Sequence, residues 1–100
     1  MLNNKTTIQA AEETAKFLQA YVAQSDRAKK TQTNKVNTLL ESSTRKSFIE
    51  NITEILKDDS SYSEFFNSLV EEIDKMQADK YPYFLTLIKF KYAYLNNKKS

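Results

Sequence analysis

Tyr81-Pro82-Tyr83-Phe84-Leu85-Thr86-Leu87-Ile88-Lys89-Phe90-Lys91-Tyr92-Ala93-Tyr94-Leu95 is the stretch whose reading decides the fold of this chain. It holds six of the twelve aromatic residues and only two charges, Lys89 and Lys91. As a helix over 82–95 it would be about 20 Å long at roughly 1.5 Å per residue. Phe84, Leu85, Ile88, Tyr92 and Leu95 then lie along one side, with Tyr83, Leu87, Phe90 and Tyr94 on another. A helix that is apolar most of the way round is buried, and it needs other helices as cover. The rival reading is a strand, because Phe84, Thr86, Ile88, Phe90, Tyr92 and Tyr94 also alternate with period two. No other segment alternates to pair with it, and a chain without glycine lacks the usual residue of tight hairpins. Pro82 also suits a first helical position, where its missing N–H costs nothing. The helix is the reading adopted.

Working outward, 100 residues make one domain with a modest core. Zero Gly and a single Pro favour helices joined by short polar connections. In the absence of Cys and His there are no disulfides, thiolates, imidazole bases or the usual zinc ligands. Met1-Leu2-Asn3-Asn4-Lys5-Thr6 lacks the apolar run of a signal peptide, and no segment reaches the ~18 apolar residues of a membrane span. A cytoplasmic location without membrane contact is therefore expected.

Helical spacing continues through the chain. Thr6-Thr7-Ile8-Gln9 has the form of a capping box, followed by a stripe of Ile8, Ala11, Ala15, Leu18 and Val22 that Phe17 and Tyr21 widen. Ala10, Ala11, Ala15 and Ala20 would let a second helix approach closely. Residues 25–33 are polar and basic and read as a mobile loop. Thr31 or Thr33 then caps a short helix through Val36, Leu39 and Leu40. Ser42-Ser43-Thr44 favours a cap or turn, from which a helix with the stripe Phe48, Ile49, Ile52, Ile55 and Leu56 runs to about Lys57. A single bent helix over 33–57 is the alternative. Ser61-Tyr62-Ser63-Glu64 has capping-box form and opens a helix through Phe65, Phe66, Leu69, Val70, Ile73 and Met76. Residues 96–100 read as a frayed polar tail. The expectation is an all-α, compact bundle of about five helices around a C-terminal aromatic helix.

The net charge of +2 conceals a segregation along the chain. Residues 27–46 carry Arg27, Lys29, Lys30, Lys35, Arg45 and Lys46 against Glu41, a balance of +5. Residues 47–79 carry nine acidic groups against Lys57 and Lys75, a balance of −7, and residues 80–100 return to +5. Such asymmetry concerns partners and long-range fields rather than fold.

Catalysis is not expected. Glu50/Glu54 and Glu71/Asp74 could share a helix face and hold a hard cation, yet such pairs are far more often a solvated face. The serines have no histidine to activate them, and the missing glycines remove any ordinary phosphate loop. No cofactor is implied. On the aromatic helix, Phe84, Ile88 and Tyr92 are assigned to the core. Tyr83, Phe90 and Tyr94 are candidates for contact with another subunit, since tyrosine favours interfaces where one end stays wet. Tyr62 and Tyr81 fit a surface position beside a helix start. Lys29, Lys30, Lys35, Arg45 and Lys46, if they fold beside Lys89 and Lys91, would form a basic groove able to grip a phosphate backbone. The plainer reading is that these charges serve solubility or pair with the acidic segment.

Thr33-Asn34-Lys35-Val36-Asn37-Thr38-Leu39-Leu40, with Thr44-Arg45-Lys46-Ser47-Phe48-Ile49-Glu50, resembles the helical region of small subunits from multi-subunit class 1 (Cascade-like) CRISPR effector complexes. Tyr83-Phe84-Leu85-Thr86-Leu87-Ile88-Lys89-Phe90-Lys91-Tyr92 is similar to the aromatic-basic closing helix of such subunits, and to the helical C-terminal part of some large subunits. The resemblance covers about a third of the chain, and the glycine-containing motifs of some branches are absent. It implies a helical bundle whose copies stack head to tail beside other subunits of the complex. Such a bundle supports guide RNA and target DNA or RNA by backbone contacts without catalysis. By position, Lys35, Arg45 and Lys46 would face phosphates, with Lys89 and Lys91 second. The reading from another class is a small protein-binding protein, such as a bacteriocin immunity protein or phage inhibitor, working through the acidic residues 50–79.

Overall fold

A computed structural model describes residues 7–23, 29–57 and 60–99. These form five α-helices and one 3-10 turn: α1 (Thr7–Ala23), α2 (Lys29–Leu40), α3 (Arg45–Leu56), the turn Ser60–Tyr62, α4 (Ser63–Lys75) and α5 (Tyr81–Lys99). The radius of gyration, 12.9 Å, is that of a compact body of this length. The aromatic stretch is a helix throughout, and the strand reading is set aside.

The most extensive packing is α1 on α5. Ala11 and Ala15, small and buried on α1, suit close approach of the two helices, and Ala10, Leu18, Tyr21 and Val22 are buried on the same helix. Phe84, Leu85, Ile88 and Tyr92 form the inward side of α5 as their spacing predicts, with Tyr81 joining them and Leu95 only half-buried at the far end. Phe48 of α3 meets this side edge-on, with ring centroids 6.1 Å from Tyr81 and 5.9 Å from Phe84. Edge-to-face pairs of this kind add to the burial term because the ring quadrupoles attract. At the other end Phe17 of α1 touches Tyr62 and Phe65, at 4.6 and 4.9 Å between centroids. That contact seats the start of α4.

The α2–α3 corner turns without glycine by using side chains. Thr44 is the N-cap of α3 and accepts from the Ser47 N–H, while Ser47 Oγ accepts from the Thr44 N–H, a reciprocal box. Asn51 Nδ2 donates to Ser42 Oγ at 2.8 Å, and the Tyr81 hydroxyl donates to the Ser42 carbonyl at 2.7 Å. The corner is thereby tied to the start of α5. Arg45 Nη1 donates to the Met76 carbonyl at 2.6 Å, which satisfies an acceptor just past the end of α4.

Several expectations are corrected. α2 begins at Lys29, so residues 29–33 are helical and the expected loop shrinks; its remaining residues, 25–28, and the proposed cap Thr6 lie outside the described residues. α2 and α3 are separate helices rather than one bent helix. α4 has Tyr62 as its N-cap with no side-chain cap bond, because the preceding residues form a 3-10 turn instead of the Ser61 box. α5 continues to Lys99, so residues 96–99 belong to the helix rather than to a frayed tail. Tyr81 is buried, at 3% exposure, because its hydroxyl has the Ser42 carbonyl to bond.

Candidate protein-interaction site

Burying one side of α5 leaves its opposite side uncovered. Phe90 is 71% exposed, Tyr94 54%, Tyr83 48%, and Ile8 of α1 is 52% exposed beside them. Large apolar side chains left in water on one face mark contact surfaces when they are contiguous. Here Ile8, Ala11 and Glu12 of α1 face Leu87, Phe90, Lys91 and Tyr94 of α5 across an open groove of about 350 Å³. Lys91 Nζ lies 3.6 Å from the Glu12 carboxylate and 5.1 Å from the centre of the Tyr94 ring. Its charge is met locally by an anion and an aromatic face.

The candidate basic residues occupy a different place. Arg45 and Lys46 line a cleft of about 730 Å³ between the start of α3 and the end of α4, together with Thr44, Ile49, Glu50 and Asp74. Two cations here stand beside two carboxylates, and Arg45 is already engaged by the Met76 carbonyl. Lys30 is exposed and Lys35 half-buried on α2, and Lys29 opens that helix. Lys89 is exposed next to Phe90. The two clefts share no lining residue, so Arg45 and Lys46 are not brought together with Lys91 in one groove.

Ile8 was expected in the core stripe of α1. It stands instead exposed in the first turn, at the rim of the groove between α1 and α5. With Ala11 and Leu87 it completes the groove; Leu87 belongs to the second stripe of the aromatic helix, whereas nothing in the sequence marks Ile8 and Ala11 as contact residues. The signal available was the spacing of Tyr83, Leu87, Phe90 and Tyr94, a second stripe at four-, three- and four-residue steps alongside the buried one.

Among the described residues no group of three or more Asp or Glu side chains could hold a metal ion, and no helix is long and apolar enough to cross a membrane. The Tyr81 pKa is raised to about 12 by burial of the phenol. That group holds the fold and does not face either cleft. Comparison with family models, with curated proteins and with solved structures finds no match to this chain, so its function has to be read from its own surfaces.

Proposed function

We propose that this chain is a non-catalytic binding protein that works as one subunit of a larger assembly, docking through the α1/α5 face. The observation that supports this most directly is Phe90, a large apolar side chain left mostly in water at the rim of an apolar groove. The assembly that the sequence resemblance points to is an RNA-guided CRISPR interference complex. In that setting the chain is a small subunit that contacts guide RNA and target through phosphates without reading sequence. Among the candidate cations whose side chains are described, Lys30, Lys46 and Lys89 are exposed and would make such contacts.

Purifying the tagged full chain from its native host tests the proposal. The expected result is co-purification with other proteins and RNA, with the proteins lost from a Phe90→Ser variant. RNA retention should fall in a Lys30/Lys46/Lys89→Ala variant and decline with added salt. The second reading, a small inhibitor of one protein, draws support from Glu64, Glu71 and Asp74, which stand exposed on α4. Recovery of one protein and no RNA, undisturbed by Phe90→Ser but lost on charge reversal of those carboxylates, would establish that reading instead.

A further inference from the structure

We infer that the α1/α5 groove receives an amphipathic α-helix from a partner protein, one with apolar residues at alternating three- and four-residue steps and carboxylates on its flanks. This rests on the subunit reading above and names the partner's chemistry. Tyr83, Leu87, Phe90 and Tyr94 repeat at the spacing by which one helix presents a continuous seam to another. A helix-in-groove complex is read through such anchors. Ala11 and the half-buried Leu87 leave a hollow beside Phe90, where a large apolar side chain from the partner fits.

Charge selects the flanks. Glu12 is the sole carboxylate among the lining residues, and Lys91 pairs with it. The neighbouring Glu13 lines a separate pocket with Phe65, Ser68 and Leu69, toward α4. Lys89 stands exposed next to Phe90, and α5 contains no acidic residue. A second copy docking α5 on α5 would set one +5 segment against another, and like charges facing across an interface are costly. A nucleic-acid strand is less well served than a helix. Lys91, the cation nearest the aromatics, is held by Glu12, and it covers the Tyr94 ring on which a base would stack.

Fluorescence anisotropy of the full chain with four labelled probes tests this. Three are designed helical peptides: a leucine seam flanked by Glu, the same seam flanked by Lys, and Glu flanks with the seam scrambled. The fourth is oligothymidylate. The Glu-flanked seam is expected to bind about tenfold or more tighter than either peptide control, with the gap over the Lys-flanked peptide narrowing as salt rises. Phe90→Ala, a change at a mostly exposed side chain, should weaken it about tenfold or more, and Lys89→Glu should reduce the preference for acidic flanks. The inference is overturned by equal affinity for the three peptides, by no binding of the Glu-flanked seam, or by indifference to Phe90→Ala. It is also overturned if oligothymidylate alone binds, or if sedimentation shows a self-dimer that Phe90→Ala dissociates. Native partners lost from Phe90→Ser while no peptide binds would leave the subunit reading standing and remove the helix.

Discussion

Replacing Tyr81 by Phe removes one hydroxyl and keeps the ring that packs on Phe48. At neutral pH the buried Ser42 carbonyl then loses its 2.7 Å donor, and such a loss costs about 1–3 kcal/mol. At about 4–8 °C per kcal/mol for a domain of this size, the midpoint should fall by roughly 5–20 °C. The hydroxyl also has a pH signature. Burial raises the Tyr81 pKa from 10.0 to about 12, while in the unfolded chain the phenol ionises near its ordinary value. Below pH 10 both states keep the proton and the full stability is present. Between pH 10 and about 12 the unfolded state releases a proton that the folded state retains, so stability falls as pH rises. The slope approaches about 1.4 kcal/mol per pH unit, and the loss over the window is on the order of 2–3 kcal/mol. Urea unfolding followed by circular dichroism at pH 7 and from pH 9 to 12, on both proteins, isolates the effect. The lysines and the other tyrosines are common to both and cancel in the difference. The variant should be less stable at pH 7, and the gap should narrow across the alkaline window. A difference under about 0.5 kcal/mol at pH 7, with parallel curves above pH 10, would refute the reasoning.

Arg45→Ala should destabilise by about 1.5–3 kcal/mol, the range for a hydrogen bond to a charged group, because the Met76 carbonyl loses its donor. Thermal unfolding checks this, and a change within error would show that water replaces the guanidinium. Thr44→Ala removes the N-cap of α3 and should cost about 0.5–2 kcal/mol by chemical denaturation, with Thr44→Ser recovering most of it. Phe48→Ala empties the contact among α3 and the inward side of α5 and should cost about 3–5 kcal/mol. Tryptic digestion slow enough to match the parent chain would contradict that centrality.

The helices were legible because their apolar periodicity is carried by large residues. Leu18, Phe48, Ile52, Ile73, Phe84 and Ile88 all fall on the buried faces that their spacing assigns. Helix ends were less legible, because competing hydroxyl groups do not announce which one caps. Thr44 with Ser47 closes a box that the sequence left as a general cap-rich cluster, whereas Ser61 with Glu64 does not form one. Tyr81 could not be assigned inward from spacing alone, since its burial depends on a carbonyl 39 positions earlier. The exposed aromatics Tyr83, Phe90 and Tyr94 were visible as a second stripe on α5, but the α1 half of the groove was not. Ile8 looks like a core residue in one dimension, yet it stands exposed at the rim of the groove between α1 and α5. The local charge runs were equally visible, yet which cations meet carboxylates depends on the docking of α3 and α4.

The pairing of α1 with α5 has a consequence for how the chain acquires its shape. α1 ends at Ala23 and α5 starts at Tyr81, so the principal closure joins segments that are synthesised far apart. Until residues beyond 81 emerge from the ribosome, the Ala11, Ala15 and Leu18 side of the first helix has no proper cover, and premature collapse onto another nascent chain becomes a competing fate. The α1–α5 closure has to wait for the aromatic segment, so chaperone dependence should track delays in translating it.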